Sequence, residues 1–174
     1  MAHMQGEPSH DLLLKAIEAL ACMTHRGGIA ADGKTGDGCG LLMQKPDAFL
    51  RAAAKRELSV ELGKQYAVGM VFLSKDPIKA QAAREILNQT LETQSLTVAG
   101  WRVVPTDDSC LGPIAKDTLP QIEQVFVTTD KSEREFAVSL YVARRKAEIA
   151  LSGDEDFYLC SLSDKVISYK GLTM

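Results

Sequence analysis

The sequence runs to 174 residues, 45% apolar and 25% charged, with 20 Lys+Arg against 23 Asp+Glu and a formal net charge of −3. That describes one soluble domain, or a domain with a sub-domain, and the short basic runs give no electrostatic footprint for nucleic acid or an anionic membrane. Cys22, Cys39, Cys110 and Cys160 form no CxxC pair and have no nearby histidine pair, so they read as reduced thiols rather than a zinc or redox motif. The first residues lack the basic flank and apolar core of a signal peptide, and no stretch is apolar enough to span a membrane, which predicts a cytoplasmic protein.

Taken in chain order, Ser9 is an N-cap for a helix with Leu13, Ala16, Ile17, Leu20 and Ala21 at spacings of three and four, stopped by Gly27. A Gly-rich stretch over 27–40 leads to a short strand at Leu41–Met43 and a helix from Pro46-Asp47 to about Leu58. A strand follows at Tyr66–Leu73, then a helix capped by Asp76 with Pro77 in its first turn and ending near Thr93, then a strand at Leu96–Val104. The segment from Pro105 to Pro120 is a break. After it come a strand at Ile122–Thr128, a helix over Ser132–Leu151, a strand at Phe157–Leu162 and a last strand at Val166–Tyr169, expected to pair with its predecessor across Ser163-Asp164.

These patterns divide the chain at about residue 60. Residues 1–60 hold the first helix, the Gly-rich segment and the second helix. Residues 61–174 read β-α-β-β-α-β plus a final strand, the ferredoxin-like motif in which two helices cover one face of a four-stranded antiparallel sheet. The fold class is therefore mixed α/β (α+β).

Gly28-Ile29-Ala30-Ala31-Asp32-Gly33-Lys34-Thr35 satisfies the phosphate-loop pattern GxxxxGK[ST]. Its context does not: such a loop follows a buried strand and opens a helix, whereas here a helix precedes it and Gly36, Gly38 and Gly40 follow. Cys39 with Asp37 and His25 could be drawn as nucleophile, acid and base, but a small core thiol between two glycines is the simpler reading. His25 suits a helix C-terminus, His3 and His10 suit solvent, Trp101 suits the core, and alternation points Glu123 to solvent. Residue chemistry alone assembles no active site, and it names no metal ligand or cofactor site.

The blocks His25-Arg26-Gly27-Gly28 and Ala31 through Leu42 resemble the class II glutamine amidotransferase (glutaminase) domain of the glutamate synthase large subunit. Further blocks match in order: Gly6 to His10, Tyr66 to Leu73, Gly100 to Pro105, Ile122 to Phe126, Asp156 to Ser163 and Tyr169 to Leu172. The resemblance implies a partial Ntn-hydrolase-type domain with a ferredoxin-like part. It implies His25, Arg26, Gly27 and Asp37 beside the glutamine site, Asp37 being the match to an Asp that this class shares.

In that family an amino-terminal cysteine attacks the glutamine amide, fixed N–H donors hold the oxyanion, and the ammonia released aminates 2-oxoglutarate in a region carrying FMN, an iron–sulfur cluster and a reduced electron donor. Alignment of Ala2-His3-Met4 puts the nucleophile upstream of Met1, so the expectation is a truncated glutaminase domain, inactive alone, with no catalytic residue of its own. Its partners would be glutamine and the remainder of the large subunit, with self-association possible. The alternative is a stand-alone ferredoxin-like binding or regulatory module.

Overall fold

Local signals set the helices. Ser9 Oγ accepts the Leu12 N–H at 3.2 Å and opens α1 (His10–Ala21). The helix ends before Gly27, at a tight turn in which the Met23 N–H reaches Leu20 O. The Asp76 carboxylate caps Ile78 N at 2.8 Å, with Pro77 first in α3 (Pro77–Glu92). Ser132 and Glu135 form a reciprocal capping box on α5 (Glu133–Ala150). The computed structural model describes residues 1, 3–23 and 27–171. In chain order its remaining elements are β1 (Cys39–Gln44), α2 (Asp47–Leu58), β2 (Tyr66–Leu73), β3 (Thr97–Val103), α4 (Pro113–Asp117), β4 (Gln121–Thr128), β5 (Tyr158–Ser163) and β6 (Val166–Gly171).

The chain forms two compact units interleaved along the sequence. One comprises Met1–Leu41, Thr106–Leu119 and Tyr169–Met174, and the other Leu42–Pro105 and Pro120–Ser168.

In the second unit the sheet order is β3-β4-β2-β5. β2 pairs antiparallel with β4 in the register Val68↔Phe126 and with β5 in the register Gly69↔Leu162, which is the strand order of the split β-α-β motif. Ala67, Val71 and Leu73 of β2 and Val125 and Val127 of β4 pack with Ala80, Ala83, Leu87 and Leu91 of α3 and with Phe136, Leu140, Ala143 and Ala147 of α5. Side chains alternate across a strand, so Tyr66, Val68, Met70, Gln124 and Phe126 share the opposite face. They too are fully buried, together with Leu50, Ala53 and Ala54 of α2. α2 reaches this sheet through Leu58, which fills the space beside Gly100, and through Glu57, bound to Arg102 at 2.6 Å. Arg102 in turn donates to Gln124 at 2.7 Å.

Two expectations are corrected. Glu123 lies on the side of β4 that faces α3 and is 3% exposed, because the Arg84 guanidinium meets it there with bonds of 2.8 and 2.7 Å. The period of two was sound, but the face of β4 that carries Glu123 lies against α3. The last strand, β6, pairs with β1 in a separate two-stranded sheet rather than with β5. Ser163 Oγ accepts the N–H groups of Lys165 and Val166, and Ser161 Oγ accepts that of Ser168. Side chains thereby take the bonds that a β5–β6 hairpin would need, and the Lys45 N–H bonds Lys165 O at 2.8 Å instead. The break between Pro105 and Pro120 contains the five-residue helix α4, with Pro113 at its start.

Candidate functional site

The Gly-rich segment folds as a hairpin within the first unit. Ile29 bridges Gly36, the Ala30 N–H bonds Thr35 O at 2.8 Å, and the Gly33 N–H bonds Ala30 O at 3.0 Å. Gly33 sits at φ +68, a conformation glycine adopts without a Cβ penalty. At the tip the Asp32 carboxylate gathers donors. Oδ1 accepts the N–H groups of Lys34 at 3.0 Å and Thr35 at 2.8 Å, and Oδ2 accepts the Thr35 hydroxyl at 2.5 Å. Oδ2 also accepts the Ile114 N–H at 3.3 Å, while Thr35 Oγ1 accepts the Ala115 N–H at 3.2 Å. The Thr35 hydroxyl first, and then the Thr35 and Lys34 amides, hold the Asp32 carboxyl well below the usual carboxylate range.

At the hairpin base the Asp37 carboxylate accepts the Gly28 N–H at 2.6 Å. Both Asp37 oxygens lie 3.0 Å from where a Gly28 Cβ would stand, so a side chain there would press on the carboxylate. Asp37 is exposed and Gly27 half-buried. His25 and Arg26 lie outside the described residues. Cys39 opens β1, half-buried. Among the described residues no group of three or more His, Cys, Asp or Glu side chains is arranged to hold a metal, and no helix is long and apolar enough to cross a membrane.

The hairpin departs from the geometry of a phosphate loop. The amides of Lys34 and Thr35 already serve the Asp32 carboxylate, and the chain beyond Thr35 enters β1 rather than a helix, so the dipole that completes an anion site is missing. ATP or GTP with magnesium is expected to leave the melting temperature unchanged. A nucleotide at 100 times its dissociation constant would add about 2.7 kcal/mol, roughly 5–10 °C for a chain of this size. A magnesium-dependent rise that disappears in Lys34→Ala would overturn this.

A sequence model of the class-II glutamine amidotransferases matches residues 1–174. The chain belongs to that family. It is 39% identical over 99% of its length to ferredoxin-dependent glutamate synthase 2 of Synechocystis sp., of which it covers 11%. It is 37% identical over 98% of its length to the glutamate synthase [NADPH] large chain of Bacillus subtilis, again covering 11%. To the corresponding large chain of Azospirillum brasilense it is 38% identical over 99% of its length, covering 12% of that protein. The mixed α/β architecture with antiparallel sheets is in keeping with this family. The tie between Asp32 and residues 112–115 was not legible in the sequence. Asp32-Gly33 signals a turn, but nothing local marks a partner some 80 residues away.

Proposed function

We propose that this chain is part of the glutaminase domain of a glutamate synthase large subunit, working in the cytoplasm. It would help to hydrolyse glutamine so that the ammonia is delivered to a region carrying FMN and an iron–sulfur cluster for the amination of 2-oxoglutarate. The observation that carries the reading is the colinear match of the whole chain to glutamate synthases at 37–39% identity. The geometry supports a positioning role for Asp37. Its carboxylate pins Gly28 by a 2.6 Å bond, and so anchors the backbone immediately after His25, Arg26 and Gly27, the residues that resemblance places beside the glutamine site. None of the four cysteines of this sequence is assigned the nucleophile's role.

The test uses the protein at its full natural length and compares two reactions, glutamate formation from glutamine and from free ammonia. Asp37→Ala is expected to lower the glutamine-dependent rate by about 10- to 100-fold, the scale on which small misplacements near a reacting centre act. The ammonia-dependent rate should be unchanged. A wild-type protein that releases no glutamate from glutamine would refute the reading in favour of a non-catalytic ferredoxin-like module.

A further inference from the structure

We propose that Asp32 is a positioning residue for glutamine hydrolysis: its Oδ2 ties the tip of the Gly-rich hairpin to the 106–119 excursion and thereby fixes the hairpin base, where Asp37 holds Gly28. The inference rests on the glutaminase reading above.

The two carboxylate oxygens divide the work. Oδ1 closes the turn by accepting from Lys34 N and Thr35 N, a bond set internal to the hairpin. Oδ2 and the Thr35 hydroxyl instead reach a segment far along the chain, accepting the N–H groups of Ile114 and Ala115 at 3.3 and 3.2 Å. Ile114 and Ala115 lie in the first turn of α4, whose amides have no partner within the helix. Asp32 and Thr35 therefore satisfy both sides at once. Gly112 supports the same tie from the facing segment. A Cβ there would stand 2.3 Å from Asp32 Oδ2 and 2.7 Å from Thr35 Oγ1, so the approach of the two segments requires glycine at 112.

From tip to base the hairpin is short and continuously bonded: Asp32 to Thr35, Ala30 to Thr35, Ile29 to Gly36, and Asp37 to Gly28. A tip released from residues 112–115 leaves the base held through its own strands and the pairing of β1 with β6, and the Asp37–Gly28 bond loses the tip side of its frame. The consequence belongs to substrate placement, because no atom of Asp32 is spare for a reacting group.

Asp32→Asn separates the two functions. The amide oxygen still accepts from Lys34 N and Thr35 N, while the amide nitrogen replaces the acceptor that Ile114 N needs. Thr35→Val removes the acceptor for Ala115 N and leaves the Oδ1 turn. In the protein at full natural length, each variant is expected to raise KM for glutamine roughly 10- to 100-fold with a much smaller change in kcat, and to leave ammonia-dependent synthesis at the wild-type rate. The double variant should be no worse than the poorer single one, since both cut one tie. Amide exchange gives an independent reading: Ile114 and Ala115 should lose protection in Asp32→Asn while Gly33 and Ala30 keep theirs. Additive KM effects, a wild-type KM in Asp32→Asn, or loss of protection throughout the hairpin would overturn the proposal with the glutaminase reading intact. Absence of glutamine hydrolysis by the wild-type protein would instead remove the reading itself.

Discussion

Arg84→Ala is expected to destabilise the sheet unit by about 3–5 kcal/mol, the range for removing one partner of a buried ion pair. Arg84 projects from α3 and forks onto both oxygens of Glu123 in β4, with Nε to Oε2 at 2.8 Å and Nη2 to Oε1 at 2.7 Å. The carboxylate raises the pKa of the guanidinium further, its hydrogen bond being the largest influence. Gln121 Nε2 donates to the same carboxylate, and Gln81 Oε1 accepts from Arg84 Nη1, so the cluster is satisfied on both sides. Without Arg84, the carboxylate of a residue that is 3% exposed loses the guanidinium that forks onto both its oxygens. Folded domains are stable by only about 5–15 kcal/mol, so the loss would take a large share of the total, or roughly 6–20 °C in melting temperature.

A second variant separates the cost of an orphaned charge from the worth of the pair. Arg84→Met with Glu123→Leu removes both charges and fills the space with apolar side chains, and is expected to recover most of the lost stability or exceed the wild type, as replaced buried pairs often do. Urea unfolding of the three proteins would decide. A change below about 1 kcal/mol in Arg84→Ala would mean that water screens Glu123 as it screens a surface pair.

The elements whose signals are local were legible in the sequence. Ser9, and Asp76 with Pro77, marked helix starts where the structure has them, a helix was placed from about Ser132, and the β-α-β-β-α-β order with its loops led to the observed sheet order. What failed depends on what lies across the sheet. Glu123 in an apolar strand looks solvent-facing only if one face of the sheet is free. α2, 12 residues long with Leu50, Ala53 and Ala54 buried, covers the face that α3 and α5 leave, and that packing leaves no periodic trace in β4. The partner of β6 was misread for a related reason. A two-residue link between apolar runs suggests a hairpin, yet the serines at 161 and 163 capture the amides that would have closed it. At the hairpin, resemblance singled out Asp37, whereas Asp32 was passed over inside a phosphate-loop pattern. Its significance rests on contacts to residues 114 and 115 that no short motif encodes.

Amide exchange under native conditions is expected to separate β2 and β4 from α1 by a factor of a thousand or more, which corresponds to about 4 kcal/mol in opening free energy at 1.4 kcal/mol per tenfold. β2 is bonded on both edges, to β4 and β5, and every one of its residues except the half-buried Phe72 is buried. Its amides, with those of β4, should exchange only through global unfolding. β3 and β5 are the outer strands of the same sheet, so alternate amides of Val98 to Arg102 and Tyr158 to Cys160 lack a second strand to bond and should exchange sooner than Val68 to Met70. Helix α1 stands at the other extreme. No residue in it is buried, and Leu14 and Ile17 are 50% and 49% exposed. Its 12 residues are at the limit below which an isolated helix is marginal in water. Propensity and the Ser9 cap add about 1 kcal/mol, far less than the roughly 1.5–3 kcal/mol that each fully buried aliphatic side chain contributes in a core. The amides of Leu13 to Leu20 should therefore open locally, independently of denaturant at low concentration, while those of β2 follow the global unfolding curve. Equal protection of α1 and β2 would show that the apolar residues Leu13, Ile17 and Leu20 find a packed surface in solution.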